Sequence, residues 1–143
     1  MGLTLRPVDY FHGTVASDAA EACRWLSDIA DAGVNLLAFC AVPAGAGRTQ
    51  LTLFPDSTER FLDAVKGGAV EWTGPQKAIL VQGDDHLGAA AHIYGLLAGA
   101  GVEVYSSTGV TDGRGGFGYV LYVRPGDFSR AVGALAEASS EAQ

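Results

Sequence analysis

Gly113-Arg114-Gly115-Gly116-Phe117-Gly118 is the string that most invites a chemical reading, because Gly-x-Gly-x-x-Gly can cradle a phosphate. The cradle needs a strand before it and a helix N-terminus after it, whose free N–H groups and dipole hold the anion. Here a strand-like run, residues 118–124, follows instead. The segment therefore reads as a hairpin loop whose glycines supply positive φ, and a phosphate role for Arg114 is the lesser reading. The histidines do not assemble a metal site. His86 and His92 lie six apart on one predicted helix and face different ways, and His12 falls on a distant predicted strand. There is no Cys-x-x-Cys pair and no Gly-x-Ser-x-Gly elbow from which a hydrolase triad could start. Tyr105-Ser106-Ser107-Thr108 lies on a predicted strand, where a solvated or hairpin-lining role outweighs a nucleophile. No catalytic residue, metal ligand or cofactor is expected, and the chain is not read as an enzyme.

A second stretch has binding chemistry of another kind. Asp84-Asp85-His86-Leu87-Gly88 joins a predicted strand to a predicted helix. The N–H groups at a helix N-terminus and the positive end of its dipole form a ready site for a carboxylate. Gly88, in the expected first turn, has no Cβ and lets a ligand or a neighbouring backbone come close. Asp84 and Asp85 could hold an ammonium group, so the loop suits a zwitterion. A plainer reading stands beside this one: Asp85 as a helix N-cap and Gly88 as a packing residue.

The bulk numbers limit the class of protein. With 143 residues, 48% of them apolar and 17% charged, there is material for one compact domain or two very small ones. The formal charge of −7 and nine scattered basic residues argue against nucleic acid as a partner. No apolar run approaches the ~20 residues that span a bilayer. Met1-Gly2-Leu3-Thr4-Leu5-Arg6-Pro7 lacks the basic start and apolar stretch of a signal peptide, so a soluble cytoplasmic protein is expected. Cys23 and Cys40 fit a reducing compartment, and both fall on apolar positions that read as buried.

The elements that must position the loop occur twice. Ala30-Asp31-Ala32-Gly33-Val34-Asn35-Leu36 echoes Ala98-Gly99-Ala100-Gly101-Val102-Glu103-Val104 at an offset of 68. In the first copy, residues 10–16 read as a strand and 18–32 as a helix with Ala19, Ala22, Cys23, Leu26, Ile29 and Ala30 on one stripe. Residues 34–42 and 49–54 read as two strands. Asp56 with Glu59 opens a helix carrying Phe61, Leu62 and Val65 inward, and 69–72 is a closing strand. In the second copy, 78–82 is a strand and 86–100 a helix with Leu87, Ala90, Ile93, Tyr94 and Leu97 on its stripe. Residues 102–110 and 118–124 form a hairpin, 127–138 a last helix, and 139–143 a frayed tail, while 73–76 joins the copies.

This is an α+β, ferredoxin-like arrangement: two tandem βαββαβ units, residues 7–73 and 76–138, with antiparallel sheets and helices on one face. A sheet covered on one side should alternate apolar and polar residues. Residues 36–42, 78–81 and 119–123 are instead continuously apolar, which implies that the helix-free face is buried too. The two copies joined edge to edge, with a second chain over the open face, would bury it. A homodimer is expected.

The segment from Val81 through Asp85-x-x-Gly88 to Gly101-Val102-Glu103-Val104 resembles the ACT domain, a regulatory βαββαβ module that usually binds amino acids. With the first copy, the resemblance covers nearly the whole chain and implies a small free-standing tandem ACT protein. It implies a ligand between this loop and the start of the second strand of the adjoining unit. Asn35 and Leu36 would then join Asp84, Asp85, His86, Leu87 and Gly88, with the Asn35 amide able both to donate and to accept. The reciprocal site is weaker, because Ser17-Asp18-Ala19-Ala20 has Ala20 in the place of the glycine and Glu103 stands where Asn35 does. One good site per chain at most is expected. The implied function is a regulatory module sensing an amino acid or related metabolite. The alternative is a ligand-free oligomerisation or regulatory subunit docking on a partner enzyme.

Overall fold

A computed structural model describes residues 3–141, with side chains to residue 137. The order of elements is β1 (Thr4–Ala16), α1 (Ala19–Asp31), β2 (Leu36–Pro43), β3 (Arg48–Pro55), α2 (Thr58–Val65), β4 (Thr73–Asp84), α3 (Ala89–Gly99), β5 (Val104–Thr111), β6 (Gly116–Val123) and α4 (Phe128–Glu141). A single 3-10 turn, Pro125–Asp127, leads into α4. The chain divides into two compact units: residues 9–76 form the first, and residues 3–8 with 77–141 the second.

In the first unit β3 lies between β1 and β2, antiparallel to both. Its core gathers Phe11 and Val15 of β1, Leu51 and Leu53 of β3, Ile29 of α1 and Phe61 of α2, so both helices cover the same sheet face. In the second unit β6 lies between β4 and β5, again antiparallel to both. Ile79, Val81, Phe117 and Leu121 of its strands pack with Ile93 and Leu97 of α3 and with Ala131 and Leu135 of α4. Leu3 and Leu5 pack against this second core. The alternation Leu3-Thr4-Leu5-Arg6 carries that signal at the start of β1.

The ladders correspond between the units at the offset of 68. Phe11 faces Leu53 as Ile79 faces Leu121, and Ala16 faces Arg48 as Asp84 faces Gly116. Both hairpins shift register at the same place, between Leu36 and Ala38 and between Val104 and Ser106. The helix ends match as well. Gly33 donates to the Ala30 carbonyl and Val34 to that of Ile29, while Gly101 donates to Ala98 and Val102 to Leu97. These are Schellman ends, with Gly33 and Gly101 in the left-handed region at φ of 86° and 71°. Val34 and Val102 are buried with Ile29 and Leu97, giving the apolar contact that accompanies such an end.

Several elements differ from the sequence expectation. No strand forms at 69–72, where turns and bends follow α2, and the expected join 73–76 is instead the start of β4. The helix expected over 86–100 begins at Ala89, so its buried stripe is Ala89, Ile93 and Leu97, while Leu87 is fully exposed. Leu62 also faces outward. α4 carries through to Glu141 where a frayed tail was expected from 139, and residues 142–143 lie outside the described residues. Cys23 is exposed and Cys40 half-buried, so neither thiol is a core residue. Of the three continuous apolar strands, residues 78–81 are wholly buried and 119–123 largely so. β2 is not: Phe39 and Val42 remain 59% and 43% exposed.

Candidate functional site

The loop between β4 and α3 is held at its base by the sheet and ends on a glycine. Asp84 closes the β4–β6 ladder opposite Gly116, and the Asp85 N–H donates to the Gly115 carbonyl at 2.7 Å. The Ala89 N–H then donates to the His86 carbonyl, closing a turn over residues 86–89. His86 Nδ1 lies 3.1 Å from the Leu87 carbonyl oxygen. Asp84, Asp85, His86, Leu87 and Gly88 are all exposed, so the five sequence-predicted residues do form one solvent-facing loop.

The structure moves the helix start three residues past the place the motif implied. Gly88, not Asp85, is the N-cap, and it adopts φ +85° in the left-handed region. A side chain at that φ is strained, which explains glycine here without appeal to packing. A Cβ on Gly88 would meet no atom within 4 Å, so the space in front of it is open. No side chain caps α3, so its first N–H groups lack the carboxylate or hydroxyl that ordinarily serves them.

Two other helices, α1 and α2, are capped from within the chain. At α1 the Asp18 carboxylate accepts from the Ala20 N–H at 2.9 Å, and at α2 the Ser57 hydroxyl accepts from the Arg60 N–H. Asp56, expected to open α2, instead accepts from the Asn35 N–H at 3.0 Å and returns its own N–H to the Asn35 carbonyl. The α1 N-terminus therefore already holds a carboxylate, and the corresponding end of α3 does not. That contrast is the chemical distinction between the two loops.

Asn35 and Leu36 belong to the first unit, at the entrance to β2. The Asn35 backbone is tied to Asp56, while its side-chain amide has no partner among the described residues. Glu103, 68 positions on, is committed to Arg124 at 3.3 Å. Leu36 is half-buried against the first core. Asp84 to Gly88 lie in the second unit.

Other candidates resolve into structural roles. Asp112 Oδ1 accepts from the Arg114 and Gly116 N–H groups, which holds the glycine string as a hairpin turn and keeps the Asp112 carboxyl below its ordinary pKa. Tyr94, expected to face inward, bonds through its hydroxyl to Ser107 on β5. Among the described residues no group of His, Cys, Asp and Glu is placed to hold a metal ion. No described helix is long and apolar enough to cross a membrane.

No protein-family model matches the sequence, and no curated protein matches it. Solved structures do match. A Bacteroides thetaiotaomicron protein superposes with a TM-score of 0.78 at 14% identity, covering 93% of this chain and 89% of that one. The ligand-free regulatory subunit of aspartate kinase from Thermus thermophilus gives 0.67 at 14% identity, with 96% and 97% covered. A structure of aspartokinase α and β subunits gives 0.66 at 18%, with the same coverage. The chain has the fold of aspartate kinase regulatory subunits. At these identities the likeness is one of fold, a mixed α+β architecture.

Proposed function

We propose that this chain is a regulatory module that binds an amino acid or a related small carboxylate, and that the Asp84–Gly88 loop at the head of α3 is its ligand site. The observation that carries this reading is the open, uncapped N-terminus of α3 beside the Asp18-capped N-terminus of α1. A ligand carboxylate would serve α3 as Asp18 serves α1. Asp84 and Asp85 supply negative charge for an ammonium group, and the exposed Leu87 supplies apolar surface. Asn35 and Leu36 enter the proposed ligand set through the family resemblance, with the uncommitted Asn35 amide as the polar group. The two units are proposed as copies of one ACT-like βαββαβ design, supported by their matching registers and helix ends. No catalytic role is proposed.

The test is thermal unfolding with each of the twenty amino acids, on the native chain and on Gly88→Val. A ligand at about a hundredfold its Kd adds about 2.7 kcal/mol. For a chain of this size that raises Tm by roughly 5–10 °C. At least one amino acid should raise Tm dose-dependently in the native chain and fail to do so in Gly88→Val. Binding that survives Gly88→Val would place the site elsewhere. Flat responses to all twenty would favour a second reading, a ligand-free subunit that docks on a partner enzyme or on itself. The exposed apolar edge of β2, with Phe39 and Val42, supports that alternative.

A further inference from the structure

Both tryptophans of the chain, Trp25 and Trp72, line one cleft in the first unit. It lies beside α1 and has a volume of about 340 Å3. The short α2 borders it. α2 stops at Val65, and residues 66–72 continue as turns and bends, whereas α4 of the second unit runs on to Glu141. The counterpart of Trp25 there, 68 positions on, is the fully buried Ile93.

The walls are aromatic. The Trp25 and Trp72 ring centroids are 6.0 Å apart in an edge-to-face arrangement, and Trp72 meets Phe61 in the same way at 5.4 Å. Trp72 lies against Gly13 of β1 so closely that a Cβ there would fall 2.6 Å from the ring. Val70 adds apolar surface. Around this apolar floor stand Glu21, Arg24 and Asp28, three successive positions on one face of α1. None of the three makes an ion pair among the described residues.

We infer that this cleft binds a small organic cation, an amine on an aromatic or apolar body. Indole faces attract a cation through their quadrupole. Two carboxylates outnumber the one guanidinium at the rim, so an ammonium is favoured over a carboxylate there. The volume falls at the small end of ligand pockets, which suits a single ring with a short arm. The site is separate from the loop at α3 and does not depend on that reading.

Because both tryptophans line the cleft, intrinsic tryptophan emission reports on it directly. The native chain is titrated with phenethylamine, phenethyl alcohol and phenylacetate, which share a ring and differ in charge. Phenethylamine should change the emission saturably, with an affinity about tenfold above that of the alcohol, and phenylacetate should bind least. In Glu21→Gln with Asp28→Asn the preference for the amine over the alcohol should vanish while the alcohol response remains. Gly88→Val should respond as the native chain does. No saturable change with any probe, or an amine preference that persists in the double variant, overturns the inference. A preference for phenylacetate also overturns it, since it would give the rim the opposite character.

Discussion

His12 sits on β1 with its Nδ1 3.0 Å from Thr52 Oγ1, and the Tyr10 ring packs against its edge at 5.2 Å. Partial burial disfavours the charged imidazolium and lowers the pKa below its ordinary 6.5. The folded chain then binds fewer protons than the unfolded chain between the two pKa values. Stability should therefore fall as pH drops through about 6.5 and level off below the folded pKa. Urea midpoints measured from about pH 7 to about pH 5 should show this slope, and His12→Gln should flatten it. An unchanged slope in the variant would assign the titration to another group. The same scale explains the candidate loop, where one residue type decides each helix head. Aspartate at position 18 supplies its own anion, and glycine at position 88 supplies none.

At the scale of elements, α1 and α3 end alike and begin differently. Their C-terminal signals, Ala-x-Ala-Gly-Val, were legible because a left-handed residue after a helix is a local requirement that glycine meets alone at little cost. Gly33→Ala and Gly101→Ala should each cost about 1–2 kcal/mol, read from chemical denaturation, since the left-handed region penalises a Cβ by that amount. Neither Cβ would meet a neighbour closer than 3.5 Å, so strain and not clash sets the cost. The N-terminal signals were less legible. Asp85-x-x-Gly88 has the form of a cap followed by a first turn, yet the Asp85 N–H is drawn to Gly115 at the end of the β4–β6 ladder. Ser17 donates in the same way to Gly47 where α1 starts at Ala19, so it is the turn ending on left-handed Gly88 that puts the start of α3 at Ala89 and leaves Leu87 in solvent. A stripe phased from Leu87 cannot anticipate it. Similarly, Asp56 and Ser57 are adjacent candidates for one cap, and the β2 entrance at Asn35 takes Asp56.

At the scale of the whole molecule, β2 is the unusual surface. Residues 36–43 carry no charge, and the strand pairs with β3 along one edge only. An apolar edge strand with exposed side chains invites pairing with another chain. β5, the corresponding strand, also exposes Tyr105 and Val110 but sets Ser106, Ser107 and Thr108 between them, whereas β2 has no polar side chain. The homodimer expected from the sequence is accordingly proposed to use β2. Phe39→Lys with Val42→Lys should convert a dimer to a monomer in sedimentation at equal concentration, while leaving the circular dichroism unchanged. Exposed positions of this kind cost within about 0.5 kcal/mol of folding stability. A native chain that sediments as a monomer at high concentration would remove the dimer.

Apart from the strand expected at 69–72, the order of strands and helices was readable from periodicity and local turn chemistry, as were the correspondence at 68 residues and the inward stripes with Ile29, Ile93 and Leu97. Burial periods and glycine conformations belong to a few neighbouring residues, so a linear string contains them. The placement of Leu3 and Leu5 on the second core, the exposure of Cys23 and the late start of α3 needed the fold. So did the cleft between Trp25 and Trp72, whose walls are 47 residues apart in the chain. Each of these depends on which distant atom satisfies a hydrogen bond or fills a space, and only tertiary packing decides that.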